Sequence, residues 1–303
     1  MPVIKKSHIL TVVTAPSRPS QRRSILMQKL LMDLQHPFVH GSHDLQYGGY
    51  QATKEEEKTP KILVLRDFAA LGSVRDTLWA NKAPMKGYNE KYTVDRNGAA
   101  LPDETTGVGL RLVAKQVLLG MQYLETVGLP VDVIAQCGNI LVLHDGTQGP
   151  PASVAISDIE NAALGMRGAN ARHIAELQLR RPADASLYAF GLLLHELASG
   201  EQADPDAQRW PPEGFTVWSM PVQALLGKIF APKSAEDGIT TLAQALEHHA
   251  LRDVRCHLHT STPLHVSLLL CVCPLTPSLV APCRSNCTIA RRMACPPTRR
   301  WQP

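Results

Sequence analysis

Residues 131–142 read VDVIAQCGNILV. Ahead of them, Gly109–Gly128 (GLRLVAKQVLLGMQYLETVG) places Leu112, Val113, Gln116, Val117, Gly120, Met121 and Leu124 at helical spacing, with a glycine to stop the helix. Behind them, NILVLHDG and ASVAISDI are two short apolar runs divided by a Gly/Pro loop, the pattern of a β-hairpin. The stretch is therefore a turn that joins a long amphipathic helix to a hairpin. Among its polar side chains are Asp132 and Asn139, and the aliphatic Ile134 stands five residues before Asn139.

Working toward the N-terminus, KILVLRDF (Lys61–Phe68) reads as a strand, and GSVRDTLW (Gly72–Trp79) opens a short helix. Before these, His8–Ala15 (HILTVVTA) is a β-branched run closed by PSRPS, and so a strand and a turn. Ser24–Leu34 (SILMQKLLMDL) is expected to be a helix buried around much of its circumference, stopped at His36-Pro37. The polar connection 80–107 is longer than most loops. Toward the C-terminus, Ser186–Gly200 (SLYAFGLLLHELASG) is apolar nearly all round, which predicts a central helix. MPVQALLGKIF and ITTLAQALEHHAL each predict one further amphipathic helix. The expected fold class is α+β, a small β-containing part followed by a mainly helical one.

Composition sets the limits. The chain has 303 residues, 44% of them hydrophobic, enough for a substantial core. Of its 31 Lys and Arg, six Arg lie in residues 254–303, which hold no Asp or Glu; the rest carries 25 basic against 27 acidic groups, interleaved rather than striped. That excludes a nucleic-acid footprint. Six of the seven cysteines also lie beyond residue 254, with seven prolines and no helical period, so this Cys/Pro/Arg-rich tail is expected to be disordered. Cys256, His257, His259, Cys271 and Cys273 supply zinc-type donors, but at no structural zinc spacing. The N-terminus has no signal-type run, and Val266–Cys273 is far short of the ~20 residues of a membrane span. A cytoplasmic chain with no direct membrane binding of its own is expected.

The order strand, helix ending in His-Pro, strand, Gly-Ser turn, long helix, Asn-Ile-Leu turn, hairpin and central helix with Phe-Gly-x-x-x-x-Glu-Leu resembles a protein kinase over roughly residues 8–250. GSVRDTLWANKAPMKGYNEKY and SDIENAALG look more narrowly like segments of the PX-domain-containing kinase-like and slowpoke-binding protein family. The resemblance implies a two-lobed fold: a truncated N-lobe over 1–67, a helical C-lobe over 68–253, and the tail 254–303 outside both. It implies that Asn139 and Asp158 stand at the two magnesium positions, that Asp67 and Ala69 lie on the hinge facing an adenine, and that Arg66 guards the back of that pocket.

The same resemblance exposes what is missing. Ile134 occupies the catalytic-base position and can neither accept a proton nor orient a hydroxyl. Val12 aligns with the phosphate-binding lysine and Met27 with its glutamate partner. No Gly-rich loop or PX domain precedes His8; no Ala-Pro-Glu lies between Asn161 and Ala185, and Gly238 stands where its arginine partner belongs. Ser186 replaces an aspartate that normally anchors the catalytic loop. The expected function is a kinase-like pseudoenzyme, an interaction or scaffold module that binds Mg and ATP weakly or not at all. Its rivals are a divergent active kinase using Asn139 and Asp158, and a fragment of a larger protein. Protein partners are expected, by resemblance among membrane transport or cytoskeletal proteins.

Overall fold

Alternation along Lys61–Asp67 (KILVLRD) sets the first sheet: Ile62, Val64 and Arg66 are buried, and the residues between them are not. The protein is described by a computed structural model for residues 7–15, 20–47, 61–78, 101–102, 108–132, 134–147, 152–166, 168, 170–201, 219–234 and 236–256. The tail assigned to 254–303 thus lies outside the described residues apart from its first three. Strand β1 (His8–Thr14) pairs antiparallel with β3 (Lys61–Asp67), whose other edge takes β2 (Asp44–Tyr47). The sequence does not announce β2, because DLQY is short and has no β-branched residue.

Helix α1 (Gln21–Met32) starts at Ser20, whose side chain accepts from the Arg23 amide. It buries Met27 and Leu31, and Leu34 just beyond its end, whereas Ile25, Leu26 and Met32 are exposed. The expectation of a helix buried nearly all round is therefore corrected. Only one face of α1 meets the sheet and the core.

Helix α2 (Val74–Leu78) is fixed at its start by a reciprocal cap: Asp76 accepts from the Ser73 amide and hydroxyl, and Ser73 Oγ accepts from the Asp76 amide. The long helix α3 (Leu110–Thr126) lies against the hairpin β4 (Ile140–His144) and β5 (Ser153–Ile156). Buried Gln116 of α3 donates to the Ala152 carbonyl and accepts from the Val154 amide, so a polar residue on the helix's inner face is satisfied at the edge of β5. Gly120 is needed there: a Cβ would come within 2.7 Å of the Phe38 carbonyl.

Two short helices follow that the sequence reading did not place, α4 (Ile159–Ala163) and α5 (Ala171–Arg180). The central helix α6 (Ala185–Ser199) has Leu187 through Ala198 all buried, and α7 (Met220–Phe230) packs on it. ITTLAQALEHHAL does not form one helix. It breaks into α8 (Leu242–Leu246), with a capping box at Thr241 and Gln244, and α9 (His249–Arg252), whose cap is His248 accepting from the Ala250 amide.

Buried residues from the sheet, from α1 and from the helices of the C-terminal part belong to one continuous core. The segment after α1 joins them by backbone hydrogen bonds: Ile156 donates to the Phe38 carbonyl and His40 to the Ile156 carbonyl. Packing runs on through Val254, which is buried against Leu112 and Ala152 while Lys115 donates to the carbonyls of Arg252 and Val254. The chain divides after His259 into a second unit outside the described residues. No helix among the described residues is long and apolar enough to cross a membrane.

Leu194 and Leu197 are fully buried on α6. Leu194→Ala is expected to cost about 2–5 kcal/mol, because the transfer term is joined by a cavity the surroundings refill only partly. Urea unfolding would measure it, and a loss under about 1 kcal/mol would mean that α6 is not at the centre of the core.

Candidate functional site

Ile134 is fully buried, with its amide hydrogen-bonded to the Val131 carbonyl. It is a core residue and presents nothing to a cleft. Asp132, on the same turn, is half-buried. The chain then tightens into a 3-10 turn at Cys137–Asn139, which seats Asn139 directly before β4. Asn139 is buried, its carboxamide donates to the Ile134 carbonyl at 3.3 Å, and its own carbonyl accepts from the Ser157 amide at 2.7 Å. Asn139 and the residue that follows β5 are thus held together.

Asp158 follows at the start of α4 with φ 57° and ψ 33°. Among the described residues it is the one non-glycine in the left-handed region. Aspartate tolerates that conformation better than most residues, and here it turns the carboxylate back toward β3. What meets it is Arg66. The Arg66 guanidinium is 3% exposed; Nη1 donates to Asp158 Oδ1 at 2.8 Å and to Ser157 Oγ at 2.6 Å, and Nη2 donates to Glu160 Oε1 at 2.5 Å. Glu160 is itself buried; burial pushes its pKa up, against the opposing effect of the Arg66 charge beside it. Sequence reading placed Arg66 at the back of the pocket but did not find Glu160. The available signal was Glu160 itself, a carboxylate two residues after Asp158 in a segment otherwise apolar enough to be buried.

The hinge candidates lie next along the chain. Asp67 is the last residue of β3 and is paired with His8, the Ala69 carbonyl accepts from the Gly72 amide, and Gly72 has φ +76°. On β1 the assignment to Val12 needs correction. Val12 is 55% exposed, on the outer face of the sheet. Because side chains alternate, the face toward α1 is formed by Ile9, Thr11 and Val13, opposite Arg66, Val64 and Ile62. A lysine meant to reach a partner on α1 belongs on that face, and none of the three is charged. Met27, at the glutamate position of α1, is buried.

Two other departures from the kinase pattern are compensated rather than simply lost. Ser186 donates to Glu125 at the end of α3 rather than to the turn that holds Ile134. At Gly238 a Cβ would stand 2.2 Å from Arg181 Nη2. Arg181, just past α5, fills that space and donates to the carbonyls of Lys228, Ile229 and Ile239, so its cation caps the end of α7. Arg75 of α2 is likewise buried and pairs with Glu196 of α6 at 2.9 Å, and Glu196 Oε2 accepts from the Cys137 amide at 3.4 Å. A solvent-open cavity of about 520 Å³ lined by Gln122, Lys228, Gln244 and His248 lies among α3, α7 and α8, in none of these places.

No protein-family profile matches the chain. A curated protein of Dictyostelium discoideum, the probable inactive serine/threonine-protein kinase slob1, is 24% identical over 167 residues, half of this chain. The match spans only about a quarter of that relative (25%). The crystal structure of the PknI kinase domain of Mycobacterium tuberculosis superposes with a TM-score of 0.52 at 14% identity, covering 82% of this chain and 86% of that one. With the sheet order β1-β3-β2, the hairpin after Asn139 and the buried central helix, these likenesses establish a protein-kinase-like α+β fold for this chain.

Proposed function

We propose that this chain is a kinase-fold pseudoenzyme that works as a protein-interaction module and transfers no phosphate. The observation that carries the reading is the Arg66 guanidinium bound to Asp158 and Glu160, with Ile134 buried where a base would stand. Kinase catalysis is mostly positioning and electrostatics, supplied by two metal ligands, a lysine clamp and an aspartate base. Here the carboxylate that would hold magnesium already has a cation at 2.8 Å, and a divalent ion at the same oxygen would face that positive charge at contact distance. The face of β1 toward α1 offers no lysine. Asn139 and Asp158 in this arrangement do not fit magnesium-ATP as a working kinase holds it.

The name of the Dictyostelium relative, a probable inactive kinase, agrees with this reading. So do Leu10 and Val12, exposed neighbours on the outer face of the sheet, an apolar pair of the kind that binding partners cover. By family resemblance those partners are membrane transport or cytoskeletal proteins.

The purified chain is expected to transfer no label from ATP with Mg²⁺ or Mn²⁺ to itself or to generic peptides. Millimolar ATP should barely move its thermal midpoint, since ligand stabilisation grows as RT ln(1 + [L]/Kd). Magnesium-dependent labelling that disappears in Asp158→Asn would replace this reading with that of a divergent active kinase.

A further inference from the structure

Three donor side chains meet at the end of β3. His8 opens β1, His43 immediately precedes β2, and Asp67 closes β3. His8 Nδ1 lies 3.3 Å and His43 Nε2 2.8 Å from the same oxygen, Asp67 Oδ1, and the three ligand atoms lie within 4.8 Å of one another. The imidazoles stand edge to face, with centroids 5.2 Å apart and planes at 87°, so both nitrogens reach one point without the rings colliding.

Backbone hydrogen bonds fix this convergence. His8 and Asp67 are partners in the β1–β3 ladder, the Phe68 amide donates to the Ser7 carbonyl, and the His43 amide donates to the Leu65 carbonyl. Three separate parts of the chain are thus registered on the same end of the sheet. We propose that His8, His43 and Asp67 form a binding site for a borderline transition-metal dication, zinc(II) foremost.

The donor set selects the ion class. Two imidazoles and one carboxylate suit zinc, cobalt or nickel, whereas magnesium and calcium take shells of oxygen. Spacing agrees. Nitrogen and oxygen ligands of a tetrahedral zinc lie roughly 3.3–3.6 Å from one another. The His8–Asp67 separation of 3.3 Å meets that already, and His43 has to withdraw by roughly half an ångström, a small rotation for a side chain 48% exposed. Three protein ligands leave a position for water or for a donor from another molecule. The exposure of the two histidines gives the ion a way in. The competing account is that Asp67 merely accepts two imidazole hydrogen bonds.

The test is cobalt(II) titration of the full-length chain, followed by visible absorption, beside His43→Gln, His8→Gln and Asp67→Asn. The tail cysteines are a second possible home for cobalt, but thiolate ligation adds a near-ultraviolet charge-transfer band that a nitrogen and oxygen site lacks. The wild type is expected to bind one equivalent without that band, and each variant to lose that equivalent while melting at the wild-type temperature without metal. Zinc should displace the cobalt. His43→Gln and Asp67→Asn each keep a polar group able to hydrogen-bond, so unfolding would not mimic the result. Retention of the equivalent in folded His43→Gln or Asp67→Asn, or its absence from the wild type, overturns the site.

Discussion

Replacing Arg66 with methionine is expected to destabilise the protein by about 3–5 kcal/mol, the usual cost of leaving a buried charge without its partner. At roughly 2–4 °C per kcal/mol for a domain of this size, the thermal midpoint should fall by on the order of 10 °C. Most of the loss belongs to Glu160, whose side chain is 2% exposed; Asp158, at 37%, keeps access to water. The pH dependence has a definite sign. Burial raises the Glu160 pKa above its unfolded value, so the folded state holds that proton more tightly, and stability falls as pH rises through the titration. Without the opposing guanidinium the shift grows, and the penalty of Arg66→Met should be smaller at an acidic pH than at an alkaline one. Adding Glu160→Gln should recover a large part of the loss. Urea unfolding of the two single variants and the double at both pH values measures this, and a penalty that is equal at both pH values would show that Arg66 acts through packing instead.

The sequence made the fold legible wherever one helix or strand carried its own pattern. The spacing of Leu112, Val117, Met121 and Leu124 marked α3, and the unbroken apolar run of Leu192–Leu194 marked α6. Where an element depends on tertiary partners the signal faded. Helix α5 buries Ile174 and Leu177, but it also buries His173 and leaves Leu179 88% exposed, which blurs its apolar stripe. The exposed Ile25 and Leu26 misled in the opposite direction, since composition cannot tell which apolar residues of α1 face inward. For the site, Ile134 was decisive because an aliphatic side chain has no acid–base chemistry whatever its surroundings. The Val12 register slipped by one residue, which in a strand exchanges the faces. The partners of Arg66 lie 91 to 94 residues away, and those of Arg181 47 to 58. Contacts of that range leave no local trace, so a guanidinium bound to Asp158 and Glu160, and another in the space left by Gly238, emerge only from the folded chain.

The second large effect is expected at Arg75 and Glu196. This pair ties α2 to the last turn of the central helix, with side chains 6% and 5% exposed and a separation of 2.9 Å. Glu196 also accepts from the Cys137 amide, so the turn that ends at Asn139 rests on the same carboxylate. Removing one partner, by Arg75→Met or Glu196→Leu, should cost about 3–5 kcal/mol, because the survivor stays in a region of low polarity with its charge unmatched. Removing both together should cost much less than the sum, since desolvating an ion pair consumes most of what its attraction returns. A double-mutant cycle by urea unfolding reads the coupling directly, and additive losses would mean that the two residues stabilise the fold separately. The two singles should also differ in where the damage appears. Glu196→Leu strips the acceptor from the Cys137 amide, so hydrogen exchange at Cys137 should quicken in that variant more than in Arg75→Met. The pair thereby holds α2, the central helix and the Asn139 turn in one arrangement. Equal exchange at Cys137 in both variants would show that the turn is held by its own backbone bonds and not through Glu196.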